Sequence, residues 1–565
     1  MPATIPSGAP RVLGLNRTSD ASACLMSGAE VDFSTSKERL TRQKHHWGKP
    51  GDVGEVYRAR LPLDVPLDLV VECYSADREI ENFAEYQREL AEALTFRGAP
   101  RVVQVSHHLS HVYGSFHPSP FDEAAVLVVD NHGSPARDCT EPWPGSGRDR
   151  APTDVECISH YACSEDAVVC IGKQVWARAA GRPGGLGAFY AALTKSIFPG
   201  SSGREGIVMG LAPFGDPEAL ALPALTVREG EVHVPEAWVR LFHDPREYRW
   251  FTDRSGSFDA CAALAARGQR VFEDALVEVA GWLRERTGMR DLVYTGGCAL
   301  NCAANTRLLA ESGFERVFIP PAPHDGGTGL GCAVYGTWEV LGHRERFRWG
   351  DDYLGPLHPV EPLVQRLRDH SVFRVERPDD LVCAVAGLLA SGEVVALYQG
   401  RSESGPRALG NRSLLADPRY SVMTTYINEH VKRRQWFRPL APAVPEEMAG
   451  RYFAADRPLP FMQFAVDVLP EARASLAAVT HVDGTARVQT VSARSNPLLH
   501  SLLHRFGERT GTYVLLNTSF NGPEEPIVET PEEAFRCFAG MPINALAIPP
   551  YLVMRREPVP GPYTL

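Results

Sequence analysis

His107 and His111, in His107-His108-Leu109-Ser110-His111, are the residues of this chain best spaced for chemistry. On a helix that spacing brings both imidazoles out of one face, one turn apart. Further on, the apolar run 124–129 reads as a buried strand with Asp130 at its carboxyl end, where ligand sites of open α/β sheets form. Asp325, in Pro323-His324-Asp325-Gly326-Gly327, follows the apolar Val317-Phe318-Ile319-Pro320 and also falls beyond a strand end. Two imidazoles and two carboxylates offer only nitrogen and oxygen donors. That set suits Fe(II), Mn(II) or Zn(II) and leaves positions open for a substrate. The zincin pattern is excluded, because it needs glutamate after the first histidine and His108 stands there. Asp325 has an alternative use as a turn-stabilising aspartate before glycines.

Two further segments, Tyr294-Thr295-Gly296-Gly297-Cys298-Ala299-Leu300-Asn301 and 324–331, each read as strand, glycine turn and helix. Turns of this kind bring backbone amides against a phosphate, with the helix amino terminus adding a favourable field. With Asp20-Ala21-Ser22 and Asp130-Asn131-His132-Gly133, also at strand ends, they resemble the phosphate and adenosine loops of actin-like ATPases. Later in the chain, 400–413 and Lys432-Arg433-Arg434-Gln435-Trp436-Phe437-Arg438 are locally basic in an acidic protein. Arginines interspersed with glycine and serine suit several phosphates, because guanidinium groups bind them through paired donors. A solvated basic face is the plainer alternative. Leu516-Asn517-Thr518-Ser519-Phe520-Asn521 then gathers amides and hydroxyls at another expected strand end, where they could hold a base or carbonyl or simply form a turn.

The elements that must position these groups are strands at 11–16, 69–73, 102–105, 124–129 and 292–294, alternating with helical patterns such as 82–94 and 271–286. That alternation predicts an α/β protein. The polar, aperiodic stretch 349–362 reads as a linker between a domain at 1–348 and another at 363–565. The second opens with a helix at 381–390, a strand at 394–398 and a strand at 513–517. The proline- and glycine-rich 142–147 reads as a surface loop.

At 565 residues the chain exceeds one ordinary core. A net charge of -11 argues against a general nucleic-acid binder, and no apolar stretch approaches the roughly 20 residues of a membrane helix. Residues 1–10 show no secretory signal, and the 12 cysteines include no C-x-x-C pair. A cytoplasmic protein with reduced thiols is expected, with a small-molecule partner, no nucleic acid and no membrane.

The ordered set D-A-S-A (20–23), K-E-R-L-T-R-x-K-H (37–45), H-H-x-S-H (107–111), G-G-C-A-L-N-C (296–302), H-D-G-G-T-G-L-G (324–331), G-R-S-E-S-G-P-R-A-L-G-N-R-S (400–413) and L-N-T-S-F-N (516–521) resembles the NodU/CmcH/TobZ O-carbamoyltransferases over nearly the whole chain. The resemblance implies an actin-like (ASKHA), TsaD-like domain followed by a YrdC-like domain. It implies that the second makes carbamoyl-adenylate from carbamoyl phosphate and ATP with Mg²⁺, and that the first transfers the carbamoyl group to an acceptor hydroxyl. His107, His111, Asp130 and Asp325 fall on the family's metal ligands, with Fe(II) the expected ion. Arg407, Lys432, Arg438, Arg487, Asn517, Ser519 and Asn521 fall on its nucleotide and carbamoyl-phosphate contacts, with Lys432 and Arg438 neutralising phosphates during adenylation. Gly296, Gly297, Asn301 and Gly326 match the nucleotide-side loops.

Two departures stand out. Ser19 precedes Asp20 where relatives often carry histidine, and Ile207 stands where many carry lysine. Asp20 and His108 are both candidates for the general base. The implied acceptor is a natural product of antibiotic type, and a homodimer is compatible with this. A tRNA threonylcarbamoylation enzyme, which shares both domain types, is disfavoured by the acidic balance. Hydrogenase-maturation carbamoyltransferases carry C-x-x-C zinc modules that this chain lacks. A nucleotide-binding regulatory module of actin-like fold is the alternative from another class.

Overall fold

The alternating apolar segments form strands that sort into separate sheets. The computed structural model describes residues 9–75, 83–147, 150–151, 153–199, 203–244 and 258–562. Contacts divide the chain into two units, Met1–Thr41 with His45–Trp349, and Arg42–Lys44 with Gly350–Leu565. Both are mixed α/β.

The first unit holds two five-stranded sheets. One comprises β1 (Arg11–Asn16), β2 (Ser22–Ser27), β3 (Glu30–Ser36), β4 (Leu69–Tyr74) and β5 (Val102–Ser106), in the order β3-β2-β1-β4-β5. The other comprises β6 (Glu123–Val129), β7 (Asp154–Ser164), β8 (Val168–Ala177), β11 (Asp291–Thr295) and β12 (Arg316–Phe318), in the order β12-β11-β6-β7-β8. A small hairpin of β9 (Thr226–Arg228) and β10 (Glu231–His233) lies apart from both. In each large sheet the first three strands run antiparallel, and the last two run parallel to the first. The two sheets therefore share one topology. Asn16 and Asp130 occupy equivalent places, at or just past the carboxyl end of the first strand of each.

The buried apolar run of β6 and the fully buried β4 are what a strand covered on both faces requires. The long β7–β8 hairpin and the pair β2–β3 are absent from the expectations above. Their polar residues, among them Ser22, Ser34, Glu156, Ser159 and Lys173, are buried in paired strands, so composition disguised them as turn or surface.

The second unit is built on an eight-stranded sheet in the order β13-β22-β21-β14-β15-β20-β16-β19. Its strands are β13 (Phe373–Glu376), β14 (Val395–Tyr398), β15 (Arg412–Ala416), β16 (Ala441–Pro445), β19 (Gln489–Val491), β20 (Leu515–Ser519), β21 (Ala545–Ile548) and β22 (Tyr551–Arg555). The short β17 (Ala465–Asp467) and β18 (Thr485–Arg487) pair separately. The helices Leu381–Ala390 and Pro497–Thr510 cover the sheet, with Val385, Leu389, Leu499, Leu503 and Phe506 in one core with Leu397, Leu415 and Leu515.

Part of the expected linker is instead packed into this unit. Ser404 Oγ and the Gly405 amide donate to Asp352 at 2.6 and 2.9 Å, and the Arg401 guanidinium donates to the carbonyls of Leu354 and Gly355. Polar composition here serves buried backbone rather than solvent. The expected helix at 82–94 is found as Phe83–Ala93, and Asn82 lies outside the described residues. So do residues 1–8 of the segment 1–10, in which no secretory signal is expected. Among the described residues no helix is long and apolar enough to cross a membrane.

Candidate functional site

The helix His107–Ser115 begins directly at the end of β5, so its first amides must find partners outside the helix. Ser134 Oγ accepts from the His107 amide at 2.9 Å, and Glu156 Oε1 accepts from the His108 amide at 3.0 Å and the Ser134 amide at 3.1 Å. Glu156 is fully buried and is neutralised by Lys173, whose Nζ lies 2.5 Å from it and 2.7 Å from Glu141. Lys173 also donates to Ser159 Oγ and the Tyr161 hydroxyl. This buried polar network fixes the start of the helix, and sequence reasoning missed all of it.

His107 and His111 leave one face of that helix and meet Asp130 and Asp325. Their two Nε2 atoms are 3.2 Å apart. His111 Nε2 lies 3.2 Å from Asp130 Oδ2, and His107 Nε2 lies 3.3 Å from Asp325 Oδ1. One ligand atom from each residue can be chosen so that all lie within 4.8 Å of one another. Donors bound about 2.1 Å from a common ion are separated by about 3.0–3.4 Å at adjacent positions. The four residues therefore fit a divalent cation.

The electrostatics agree with that fit. Burial opposes charge on His107, yet Asp325 and Asp130 raise its pKa well above the ordinary imidazole value. Asp130 is buried too, and the two imidazoles hold it well below the usual carboxylate range. The two carboxylates thus favour positive charge at this point, which a cation would supply. Asp130 Oδ1 is occupied by the amides of Asn131 (2.7 Å) and Gly297 (3.3 Å), while Oδ2 faces the imidazoles, 3.2 Å from His111 Nε2 and 3.4 Å from His107 Nε2.

The glycine turns do more packing than the phosphate-cradle expectation allowed. Gly296 has φ of +95°, and a Cβ there would lie 2.2 Å from the Val129 carbonyl oxygen. Gly297 holds Asp130, as above. In 324–331, a Cβ on Gly331 would lie 1.8 Å from the Ser110 carbonyl oxygen, so this glycine lets the helix Thr328–Tyr335 touch the metal-ligand helix. Gly326 lies in a short 3-10 turn with Asp325, its open side against His324 and Ser36. The Asn301 side-chain amide caps the helix Cys302–Glu311 and pairs with Gln269.

The two base candidates separate. His108 is fully buried, its Nδ1 2.7 Å from Ser159 Oγ, and burial depresses its pKa to about 3. The His108 ring presents no exposed face to an acceptor in this structure, whereas Asp20 is partly exposed. Asp20 is half-buried, has φ of +42°, and its Oδ1 lies 2.9 Å from His45 Nδ1. The His45 amide donates to Glu38 Oε2. Asn16 ties the loop to the metal site, its amide donating to the carbonyls of Ser19 (2.8 Å) and Asp325 (3.1 Å).

In the second unit, Lys432 is buried and its Nζ donates to the Ser519 carbonyl, to Asn521 Oδ1 and, at 3.1 Å, to the Asn521 carbonyl. Burial and the charges of Arg434, Arg438 and Lys44 push its pKa well below the ordinary lysine value. Burial and Arg487 likewise press on Arg438, and burial with Arg438 and Arg487 on Arg434. Guanidinium groups stay charged, so the mutual repulsion persists, and a bound anion would relieve it. Arg407 lies in the basic loop before β15. Asn517 is buried beneath the cluster's strand, its amide donating to Gln489 and the Ala408 carbonyl, while its Oδ1 has no partner.

Residues 80–334 match the family described as Carbamoyltransferase N-terminus, and residues 386–555 that described as Carbamoyltransferase C-terminus. The chain is 31% identical to the uncharacterized protein sll1178 of Synechocystis, over 95% of each chain. It is 38% identical to nodulation protein NolO of Bradyrhizobium diazoefficiens, over 66% of this chain and 69% of that one. It is 36% identical to the 3'-hydroxymethylcephem-O-carbamoyltransferase of Streptomyces clavuligerus, over 60% of this chain and 63% of that one. The matches span about two thirds of the length of the latter two relatives.

Proposed function

The chain belongs to the NodU/CmcH family of carbamoyltransferases, and on that premise we propose that it is an ATP-dependent O-carbamoyltransferase acting on a hydroxyl of a natural product. The observation that carries this reading is the convergence of His107, His111, Asp130 and Asp325 in a unit separate from the buried cationic cluster around Lys432. Two chemically different sites suit a reaction of two steps.

The carbamoyl carbon is a poor electrophile because its nitrogen donates into the carbonyl, so activation precedes transfer. In the first step, water hydrolyses carbamoyl phosphate to carbamate and phosphate, a carbamate oxygen then bonds to the α-phosphorus of ATP, and pyrophosphate leaves. The product is carbamoyl-adenylate. The second unit is assigned to this step as a YrdC-like domain. Lys432, Arg407, Arg438 and Arg487 would neutralise phosphates that arrive with Mg²⁺. Asn517, Ser519 and Asn521 would shape the nucleotide side. Lys432 already donates to Ser519 and Asn521, so it also holds that turn in place.

In the second step the acceptor oxygen bonds to the carbamoyl carbon and AMP leaves. The first unit is assigned to it as an actin-like domain, a reading supported by its two sheets of identical order. A divalent ion, Fe(II) in the family's pattern, supplies Lewis acidity at an oxygen of the transferring group. His107, His111, Asp130 and Asp325 would hold it, and the Asn131 and Gly297 amides orient Asp130. Asp20, held by His45, would receive the hydroxyl proton. An antibiotic scaffold is the acceptor class most in keeping with the cephem relative.

Incubating the full chain with ATP, carbamoyl phosphate and Mg²⁺, without acceptor, tests the first step. Pyrophosphate and a carbamoyl-adenylate mass are expected. Folded protein that yields neither overturns the proposal.

A further inference from the structure

A second cluster of metal-type donors lies in the second unit and shares no residue with the sites assigned above. His500 and His504 are four residues apart on the helix Pro497–Thr510, in His500-Ser501-Leu502-Leu503-His504. Their rings stand 4.6 Å apart between centroids. Glu447, in the 3-10 turn Glu446–Arg451 that directly follows β16, reaches both. Its Oε1 lies 2.9 Å from His500 Nε2 and 2.7 Å from His504 Nε2. Three side chains from two elements thus aim one nitrogen, one nitrogen and one oxygen at a single point.

The supports on either side are rigid. Leu499, Leu502, Leu503 and Phe506, on the other side of the same helix, are buried in the core of the eight-stranded sheet. β16 is hydrogen-bonded between β20 and β19 in that sheet. The Tyr513 ring lies edge-on to His504 at 5.6 Å and backs it. A site built on such elements keeps its geometry before any ligand arrives.

The point of convergence is open to solvent, with Glu447 about half exposed and His504 a third exposed. An ion can enter, and water can complete its coordination. This separates the cluster from a core hydrogen-bond network, in which the rings would be sealed.

We propose that Glu447, His500 and His504 form a surface site for one divalent transition-metal ion of the zinc or copper class. Paired imidazoles with one carboxylate favour these borderline ions over Mg²⁺ or Ca²⁺, which take oxygen ligands. Paired histidines one helical turn apart are a recurrent zinc-binding arrangement. The ion would staple the helix to the strand end, and the unit would gain stability by mass action.

The test uses the full chain, stripped with chelator and titrated with Zn²⁺ by calorimetry, with His500→Ala/His504→Ala and Glu447→Gln alongside. Wild type is expected to bind one more Zn²⁺ per chain than the double variant, whatever the His107 centre takes up. Glu447→Gln, which keeps the side-chain volume, is expected to weaken that extra site at least about tenfold. With Cu²⁺, electron paramagnetic resonance should show nitrogen couplings from two imidazoles that vanish in the double variant. Thermal unfolding in chelator checks that the variants fold, and His504→Gln replaces the double variant if that one does not. Equal Zn²⁺ stoichiometry in folded wild type and variant overturns the proposal, as does Cu²⁺ without the paired nitrogen couplings.

Discussion

The Ser19 hydroxyl donates a hydrogen bond to Asp325 Oδ2, leaving Oδ1 to face His107 Nε2 at 3.3 Å. Ser19 is one of the two positions at which this chain departs from the pattern common among its relatives, and the structure gives it a positioning contact on one of the two converging carboxylates. Partners of this type hold a ligand in the orientation that binding needs and commonly account for 10- to 100-fold in metal affinity. Ser19→Ala is therefore expected to weaken divalent-metal binding by about tenfold with little change in thermal stability. Titration of metal-free protein with Fe(II) or Mn(II), compared with wild type, reads this directly.

Gly331 sets how closely two helices approach. A Cβ at this position would lie 1.8 Å from the Ser110 carbonyl oxygen, on the helix that carries His107 and His111. The contacted atom is backbone, so a helix must move. Gly331→Ala is expected to cost about 1–3 kcal/mol through overpacking and to lower metal affinity, although residue 331 bears no ligand. Gly206, whose added Cβ meets nothing within 4 Å, supplies the control. Gly206→Ala should leave both quantities near wild type.

The assignment of two steps to two units predicts opposite failures. Lys432→Ala removes the ammonium that anchors Ser519 and Asn521 and is expected to cut pyrophosphate release at least a hundredfold. His111→Ala removes a metal-site imidazole and is expected to spare pyrophosphate release while stopping carbamoyl ester formation. Quench-flow detection of pyrophosphate and of carbamoylated acceptor separates the two. Both variants failing at the same step would show that the steps are not divided in this way.

Much of this arrangement was legible in the sequence because its signals are local. The apolar runs of β1, β4, β6 and β11 announce strands, and the carboxyl end of β6 points to Asp130. The four-residue spacing of His107 and His111 needs only the helical repeat. What stayed hidden depends on contacts between distant segments. Glu156 and Lys173 support the ligand helix from β7 and β8, and nothing in their own neighbourhoods distinguishes them from surface charges. Similarly, Gly331 reads as part of a phosphate loop until Ser110 is seen across it. His45 lies within the K-E-R-L-T-R-x-K-H segment, yet only folding sets it beside Asp20.

His117, which takes no part in the proposed chemistry, gives the first unit an acid-sensitive point. Its ring is 2% exposed, stacks on Tyr113 at 4.8 Å and leans on Trp338 at 4.6 Å, and neither ring nitrogen has a hydrogen-bond partner. Burial, followed by the charges of Arg346, Arg344 and Arg348, lowers its pKa to about 3. The folded ring thus stays neutral where the unfolded ring, titrating near 6.5, takes up a proton. Between these values the unfolded state binds more protons, so stability is present above about pH 6.5 and falls as the pH drops. The loss approaches about 1.4 kcal/mol per pH unit, or about 2 kcal/mol by pH 5. His117→Phe keeps an aromatic ring between Tyr113 and Trp338 and has no proton to gain. Urea unfolding of the first unit's transition at pH 7 and pH 5 should show the wild type losing about 2 kcal/mol more than the variant. Equal losses in the two proteins would mean that His117 titrates alike folded and unfolded.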